Sequence, residues 1–241
     1  MAATATRTVT SADGALARSL AYRLLSQAFA YPMPPEVARL RDEDLPLALA
    51  SAEGLEAPVR AGLEALAEAL EDATSEELEA DYRSVFSHVH SADCPMYETD
   101  YGARDIWRQS ETLADVAGFY RAFGVREDGE RPDHVSAELE FLHLLGYKSV
   151  WADSGGDETH AETCREAEAA FLRDHVLRWV PGFATRAATL AGTETYAAAG
   201  RLLRALLDAE AARLGLEIPE DAPPPPPATE DDPPSLCEVE S

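Results

Sequence analysis

Asp133-His134-Val135-Ser136-Ala137-Glu138-Leu139-Glu140-Phe141-Leu142-His143-Leu144-Leu145-Gly146-Tyr147-Lys148-Ser149-Val150-Trp151 is the stretch that settles the fold class. Its apolar residues Leu139, Phe141, Leu142, Leu144, Leu145 and Val150 lie on most sides of a helical period, not on alternate positions. A helix that is apolar nearly all round has to be enclosed by other elements, so this one is expected at the centre of a helical domain. Upstream, Ala15 to Ala30 carries Leu16, Leu20, Leu24 and Ala28 on one stripe, which ends at Tyr31 and Pro32. Pro35 to Ala50 reads as a second helical stretch. Ala57 to Leu70 spaces Val59, Leu63, Leu66 and Leu70 by threes and fours. Thr74 with Glu77 forms a capping-box pattern that opens a helix reaching about Phe86. The rhythm breaks over His88 to Gly102, which reads as a loop. It resumes from Arg104 to Phe123, with Trp107, Leu113, Val116 and Tyr120 predicted to face inward and Gly124 at the left-handed cap position.

Downstream of the central stretch, Thr159 and Glu162 suggest another capping box, for a helix to about Trp179. Pro181 opens a further segment, and Glu194 to Leu214 makes the last helix. No β-alternating run of useful length occurs. The predicted fold class is therefore all-α, a single multi-helix domain over residues 11–215. Residues 216–241 hold half of the 16 prolines and eight acids with no base. Such a composition cannot bury enough apolar surface to offset its ordering entropy, so a disordered acidic, proline-rich C-terminal tail is expected.

Charge narrows the function. The 241 residues include 45 Asp and Glu against 20 Lys and Arg, a formal net charge of −25, and Lys148 is the one lysine. An acidic, lysine-poor surface of this kind suits a halophile's cytoplasm, where molar salt shrinks the Debye length to about 3 Å and screens self-repulsion. Nucleic acid and anionic membrane are poor partners, since both call for a basic face. Met1 to Asp13 has no apolar core resembling a signal peptide, and no later stretch is long and apolar enough to span a bilayer. Cys94, Cys164 and Cys237 are too few and scattered for a disulfide framework, which points to a cytoplasmic protein with reduced thiols. The chain has no adjacent Arg-Arg pair, so it is not itself expected to be an exported client.

Sites for chemistry are sparse. Glu140-x-x-His143 has the spacing of half a di-iron site, but the second copy such a bundle needs is missing, and a hydrogen-bonded core histidine is the expectation. His88-x-His90 with Cys94 offers three scattered ligand types in what reads as a surface loop. No nucleophile elbow, P-loop or dinucleotide fingerprint is present. No metal, cofactor or catalytic residue is therefore assigned. Glu130-Arg131-Pro132-Asp133-His134 is more distinctive. Asp133 is placed to cap the central helix, with His134 in its first turn and Glu138 one turn on along the same face. The three form either a polar patch at a helix start or an ordinary cap with a His–Glu surface pair.

At this segment the chain resembles the TorD/DmsD/NarJ family of redox-enzyme maturation chaperones, whose hallmark is similar to E-x-P-D-H-x-x-x-E-L-x-F; Glu130 to Phe141 matches each position. A second family-like block is Cys94-Pro95-Met96-Tyr97-Glu98-Thr99-Asp100-Tyr101-Gly102, followed by Ala117-Gly118-Phe119-Tyr120-Arg121-Ala122-Phe123-Gly124. Leu20 to Pro32 and Asp81 to Phe86 also fit, so the likeness covers about residues 15–215. It implies an all-helical chaperone, not an enzyme, that binds the N-terminal, twin-arginine-leader-like segment of a molybdopterin oxidoreductase catalytic subunit. Such a protein holds the apoenzyme for cofactor insertion and delays its export or assembly. It implies a peptide groove built from Pro132, Asp133 and His134, with Tyr97, Glu98 and Tyr101 opposite; Glu138 joins them on the helix face. Carboxylates at Glu98, Asp100, Asp133 and Glu138 suit bidentate pairing with arginine, and Tyr97, Tyr101 and Trp107 suit an apolar leader. On this reading Asp133→Ala or His134→Ala weakens leader binding without disturbing the fold. The other readings are a permanent structural subunit of a redox complex and a helical metal-dependent enzyme. A monomer or a domain-swapped dimer fits either way.

Overall fold

The structure, a computed structural model, describes residues 2–42, 45–86, 93–102, 106–126 and 131–220. The His88/His90 pair, Glu130 and the tail beyond Glu220 lie outside these residues. Ten α-helices are described: α1 (Ala2–Phe29), α2 (Pro34–Asp42), α3 (Leu45–Ala50), α4 (Ala57–Glu71), α5 (Ser75–Val85), α6 (Ile106–Ala122), α7 (Val135–Gly155), α8 (Glu158–Asp174), α9 (Val180–Leu190) and α10 (Glu194–Leu214). Short 3-10 turns occupy Glu98–Asp100 and Val176–Arg178. Among the described residues no strand forms; one isolated antiparallel bridge joins Tyr97 to His134. No helix among them is long and apolar enough to cross a membrane.

α7 is the central helix, with Val135, Leu139, Phe141, Leu142 and Leu145 all buried. It runs antiparallel to α1. Ser26 donates to the Ser136 carbonyl at 2.8 Å, and seven residues earlier Ser19 donates to the His143 carbonyl at 2.9 Å. At the same level His143 Nδ1–H donates to the Ser19 carbonyl at 3.0 Å, so this histidine is a half-buried hydrogen-bonding group. Small residues let the helices close up. A Cβ at Gly146 would come within 3.0 Å of Ser19 Cβ, and one at Gly200 on α10 would sit 2.6 Å from the Ala188 backbone nitrogen on α9. Two aromatic clusters fill the interior. Phe29, Tyr82, Phe86, Phe183 and Tyr196 form one, and Phe119, Tyr120, Phe141, Phe171 and His175 the other. Each fully buried ring contributes about 1.5–3 kcal/mol of transfer free energy.

Several boundaries follow the sequence and some do not. Thr74 caps α5 as expected, accepting from Glu77 N at 3.2 Å while its hydroxyl donates to Glu77 Oε2 at 2.8 Å. Gly124 adopts φ +76°, which a side chain would resist. The expected stretch from Pro35 to Ala50 is covered by α2 and α3, and the one to Trp179 ends at Asp174 before a 3-10 turn. α8 is capped by Asp157, which accepts from His160 N at 3.1 Å; Thr159 lies inside the helix. Gly156 at φ +78° ends α7 one residue earlier, so Asp157 is the first residue free to cap. Trp107 does not face inward: it is 77% exposed, because α6 packs through Val116, Ala117 and Tyr120 and its first turn projects from the bundle.

Candidate functional site

Two segments far apart in sequence dock on one another beside the start of α7. Glu98 N donates to the Asp133 carbonyl at 3.0 Å and Val135 N to the Met96 carbonyl at 2.9 Å, flanking the Tyr97–His134 bridge. The rings of Tyr97 and His134 meet edge to face with centroids 5.1 Å apart. The Arg131 guanidinium stacks over Tyr97 at 4.5 Å. Tyr120 on α6 pins the turn by donating to the Pro132 carbonyl at 2.7 Å.

Asp133 is fully buried and does not cap α7. Its Oδ2 accepts from the Thr99 hydroxyl at 2.8 Å, the Thr99 N–H at 3.3 Å and Arg131 Nη2 at 2.9 Å, while Oδ1 accepts from Arg131 Nε at 3.1 Å. The cap is His134, one residue later: its Nδ1 accepts from Ser136 N at 3.2 Å. That bond fixes Nδ1 as the acceptor, so the Ser136 hydroxyl donates to it at 2.7 Å. Glu138, also fully buried, accepts from Trp179 Nε1 at 3.1 Å. Burial, reinforced by the charges of Glu98 and Asp133, holds its carboxyl well above the usual range. Glu98 in turn accepts from His175 Nδ1 at 3.0 Å. His175 Nε2 lies 3.4 Å from Asp115 Oδ2 without a hydrogen bond.

The sequence-predicted residues therefore come together, but with divided roles. Asp133, His134 and Glu138 lie in the interior, where they fasten the turn that carries Tyr97, Glu98 and Tyr101. Tyr101 is itself mostly buried, donating to the Pro95 carbonyl at 2.9 Å. The interior placement of Asp133 means that Asp133→Ala should cost stability as well as any contact with a ligand. On the outer side of the turn a cleft of about 270 Å³ is lined by Glu98, Thr99, Tyr101, Gly102, Arg108, Gln109, Thr112, Arg178, Trp179, Pro219 and Glu220. Exposed Ile106 and Trp107 stand next to its α6 wall. Thr99, Arg131, His175 and Trp179 were not singled out from sequence. Arg131 sits inside the distinctive block, but the other three meet it only through contacts across tens of residues. Among the described residues no group of three His, Cys, Asp or Glu is arranged to hold a metal ion; Cys94 is buried, and burial pushes its thiol up to about 12.

The all-helical fold has a counterpart among solved structures. A crystal structure from Archaeoglobus fulgidus, described as a redox enzyme maturation protein, aligns with TM-score 0.50 over 79% of this chain and 93% of that one, at 22% identity. Residues 52–185 match the family described as nitrate reductase delta subunit, and the chain belongs to that family. The selenate reductase assembly chaperone protein of Thauera selenatis is 34% identical over 152 residues, 61% of this chain and 75% of that protein. Chaperone protein TorD of Photobacterium profundum is 27% identical over 141 residues, 57% of this chain and 64% of that one. The chlorate reductase assembly chaperone protein of Ideonella dechloratans is 36% identical over 107 residues, 43% of this chain and 53% of its own length. These relatives are named as chaperones, not as enzymes.

Proposed function

We propose that this chain is a cytoplasmic assembly chaperone for a molybdopterin oxidoreductase, its unit being residues 11–215, and that it binds the leader-like N-terminal segment of the catalytic subunit before cofactor insertion. The reductase-assembly chaperones among its relatives support a reductase as client. The observation that carries the site is that both blocks of the family resemblance, around Tyr97–Tyr101 and Pro132–Glu138, interlock behind a single cleft. Pro132, Asp133, His134 and Glu138 act as positioning residues, while Glu98 and Tyr101 reach the cleft wall and Tyr97 stands beside it.

Charge decides which part of a leader enters. Arg108 and Arg178 line the cleft together with Glu98 and Glu220, so it has no excess of acid to draw in a pair of client arginines, and the apolar stretch goes in, against Tyr101 and Trp179, with Ile106 and Trp107 outside. The basic pair then stays at the acidic surface. In high salt such exposed pairing adds little, and apolar burial supplies the affinity. The test is titration of a labelled twin-arginine leader peptide into the parent and into Thr112→Trp, which fills the cleft from α6. Affinity should fall at least about tenfold, equivalent to about 1.4 kcal/mol, with the helical spectrum unchanged. Equal affinity for both proteins would place the leader elsewhere, and no binding to the parent would remove the leader from the function.

A further inference from the structure

The wall that α6 gives to the cleft overhangs the bundle. No residue from Ile106 to Asp115 is buried, and burial begins only at Val116. Arg108, Gln109 and Thr112, which line the cleft, all belong to this overhanging half. At its inner end Asp115 Oδ2 lies 3.4 Å from His175 Nε2; the histidine side chain is 4% exposed and that of Asp115 68%. The other ring nitrogen, Nδ1, donates to the two oxygens of Glu98 at 3.0 Å and 3.2 Å, and Glu98 belongs to the cleft lining on the turn. One imidazole therefore stands between a carboxylate of the turn and a carboxylate of α6.

Its protonation decides what it can do there. Nε2 is buried and has no hydrogen-bond partner. With Nδ1–H committed to Glu98, a neutral ring turns a lone pair toward the Asp115 oxygen, and two acceptors repel. A charged ring turns an N–H toward it instead, and a small rotation of the exposed Asp115 side chain closes a charge-assisted bond. Other charges surround the ring. Asp174 precedes it and pairs with Arg173, and Arg178 donates to the Asp174 carbonyl at 3.4 Å. Glu138 on α7 lies beyond Glu98, and Arg108 and Glu220 complete the charged lining of the cleft. His175 also ends α8, at the negative pole of that helix. The rings of Phe119 and Phe171 pack on it with centroids 5.6 Å and 5.0 Å away.

We propose that His175 is a positioning residue that latches the overhanging half of α6 to the turn: its charged ring bridges Glu98 and Asp115 and holds the cleft walls in place for the leader, and its neutral ring lets α6 go. An imidazole ordinarily changes charge between about pH 5 and 8, so the latch is closed on the acid side and opens as pH rises. The consequence for the leader rests on the reading proposed above; the latch does not.

Two quantities test it on the full chain, at about pH 6 and about pH 8 in about 0.15 M salt. One is the exchange protection of the Ser110–Asp115 amides, each referred to its intrinsic rate at that pH. The other is affinity for an acetylated twin-arginine leader peptide without histidine. In the parent both should fall about threefold at the higher pH, the size that a partner as exposed as Asp115 supports. Asp115→Asn keeps an acceptor for the charged ring and adds a donor for the neutral one, so both quantities should become level across the two pH values. Asp115→Ala has no latch and should also be level, at the parent's values for the higher pH. Asp115 is on the surface, so the fold survives both changes, and Glu138 keeps its own titration in each. Level values in the parent, or variants that retain the parent's pH difference, overturn the proposal. Protection that responds while leader affinity stays level overturns the positioning role. The two quantities also separate latch from client: if protection responds as stated but the leader binds at neither pH, the latch stands and the leader reading falls. If the leader binds equally at both pH values and protection does not respond, the leader reading stands and the latch falls.

Discussion

Thr99 gives both of its donors to one oxygen of Asp133: the hydroxyl at 2.8 Å and the backbone N–H at 3.3 Å. The pair spans 34 residues of chain and closes the turn carrying Tyr97 to Tyr101 onto the start of α7. Arg131 completes the set from the other side of the carboxylate, with its own side chain 42% exposed. The arrangement makes the Pro-Asp-His block a clamp on the cleft wall, and a clamp has a stability signature that a contact residue lacks.

Asp133→Ala strands the Thr99 donors in the interior and takes a carboxylate away from Arg131, which keeps Thr99 Oγ1 and the Tyr97 ring. Hydrogen bonds to a charged group contribute about 1.5–3 kcal/mol each net of lost hydration, and breaking a buried pair costs about 3–5 kcal/mol. Partial exposure of Arg131 puts the expected loss near the lower end, about 3 kcal/mol. Asp133→Asn keeps an acceptor of the same shape and should lose about half as much. Urea unfolding of the two variants reads this directly; a loss under about 0.5 kcal/mol for Asp133→Ala would mean the clamp carries no load.

A second buried carboxyl gives a pH signature. Burial, helped by the charge of Glu210, raises Glu168 from 4.5 to about 7, although Arg213 and Arg18 oppose the shift. Its folded value exceeds its unfolded one, so the folded state keeps a proton that the unfolded chain has already lost. The stabilisation is complete below pH 4.5 and disappears as pH rises through 7. Glu168→Gln abolishes the titration, so the difference in unfolding free energy between variant and parent should grow in favour of the variant between these limits. A shift of this size corresponds to on the order of 3 kcal/mol. Denaturation midpoints at pH 5 and pH 8 check it, and parallel pH profiles for the two proteins would contradict it.

The sequence carries the helices well, because burial in a bundle has to follow the helical period; α4 and α10 fall close to where their leucines put them. Caps are less secure. Both Asp157 and Thr159 precede a glutamate or backbone donor at a suitable spacing, and the choice rests on where Gly156 ends α7. The site is legible as two blocks and not as a network. Glu98 meets His175 across 77 residues, and Glu138 meets Trp179 across 41, distances over which local spacing holds no information. Burial was equally hidden, since Asp133, His134 and Glu138 are polar types that composition alone assigns to a surface. What the pattern could supply was proximity of the motif residues to a helix start; what it could not supply was which side of the turn faces water.

Close packing of α9 on α10 offers a paired test. At Gly200 a methyl group would lie 2.6 Å from Ala188 N and 2.7 Å from the Ala184 carbonyl, both of them backbone atoms that cannot swing aside. Gly200→Ala should force the helices apart and lose about 1–3 kcal/mol. Gly118, inside α6, has nothing within 4 Å of the same position. Gly118→Ala should therefore gain up to about 1 kcal/mol from helix propensity. Opposite signs in thermal melts support the packing; equal signs would mean that the α9–α10 contact is looser than its glycine implies.

Salt should stabilise this fold. Several exposed cations are paired: Arg165 with Asp153 and Glu162, Arg173 with Asp174, Arg201 with Glu194 and Arg204 with Asp208. With 45 acids against 20 bases, many carboxylates are left repelling one another within a Debye length of about 10 Å at 0.1 M salt. Raising potassium chloride to 1 M cuts that length to about 3 Å, which weakens the exposed ion pairs and the repulsion together. Exposed pairs contribute only about 0–1 kcal/mol each, whereas the repulsion sums over the whole excess of charge, so the balance favours the folded state. A gain of about 2 kcal/mol would lift the melting temperature by about 4–8 °C for a domain of this size. A melting temperature that is flat or falls with salt would show that the exposed arginine pairs outweigh the repulsion, and would remove the physical reason for so acidic a surface.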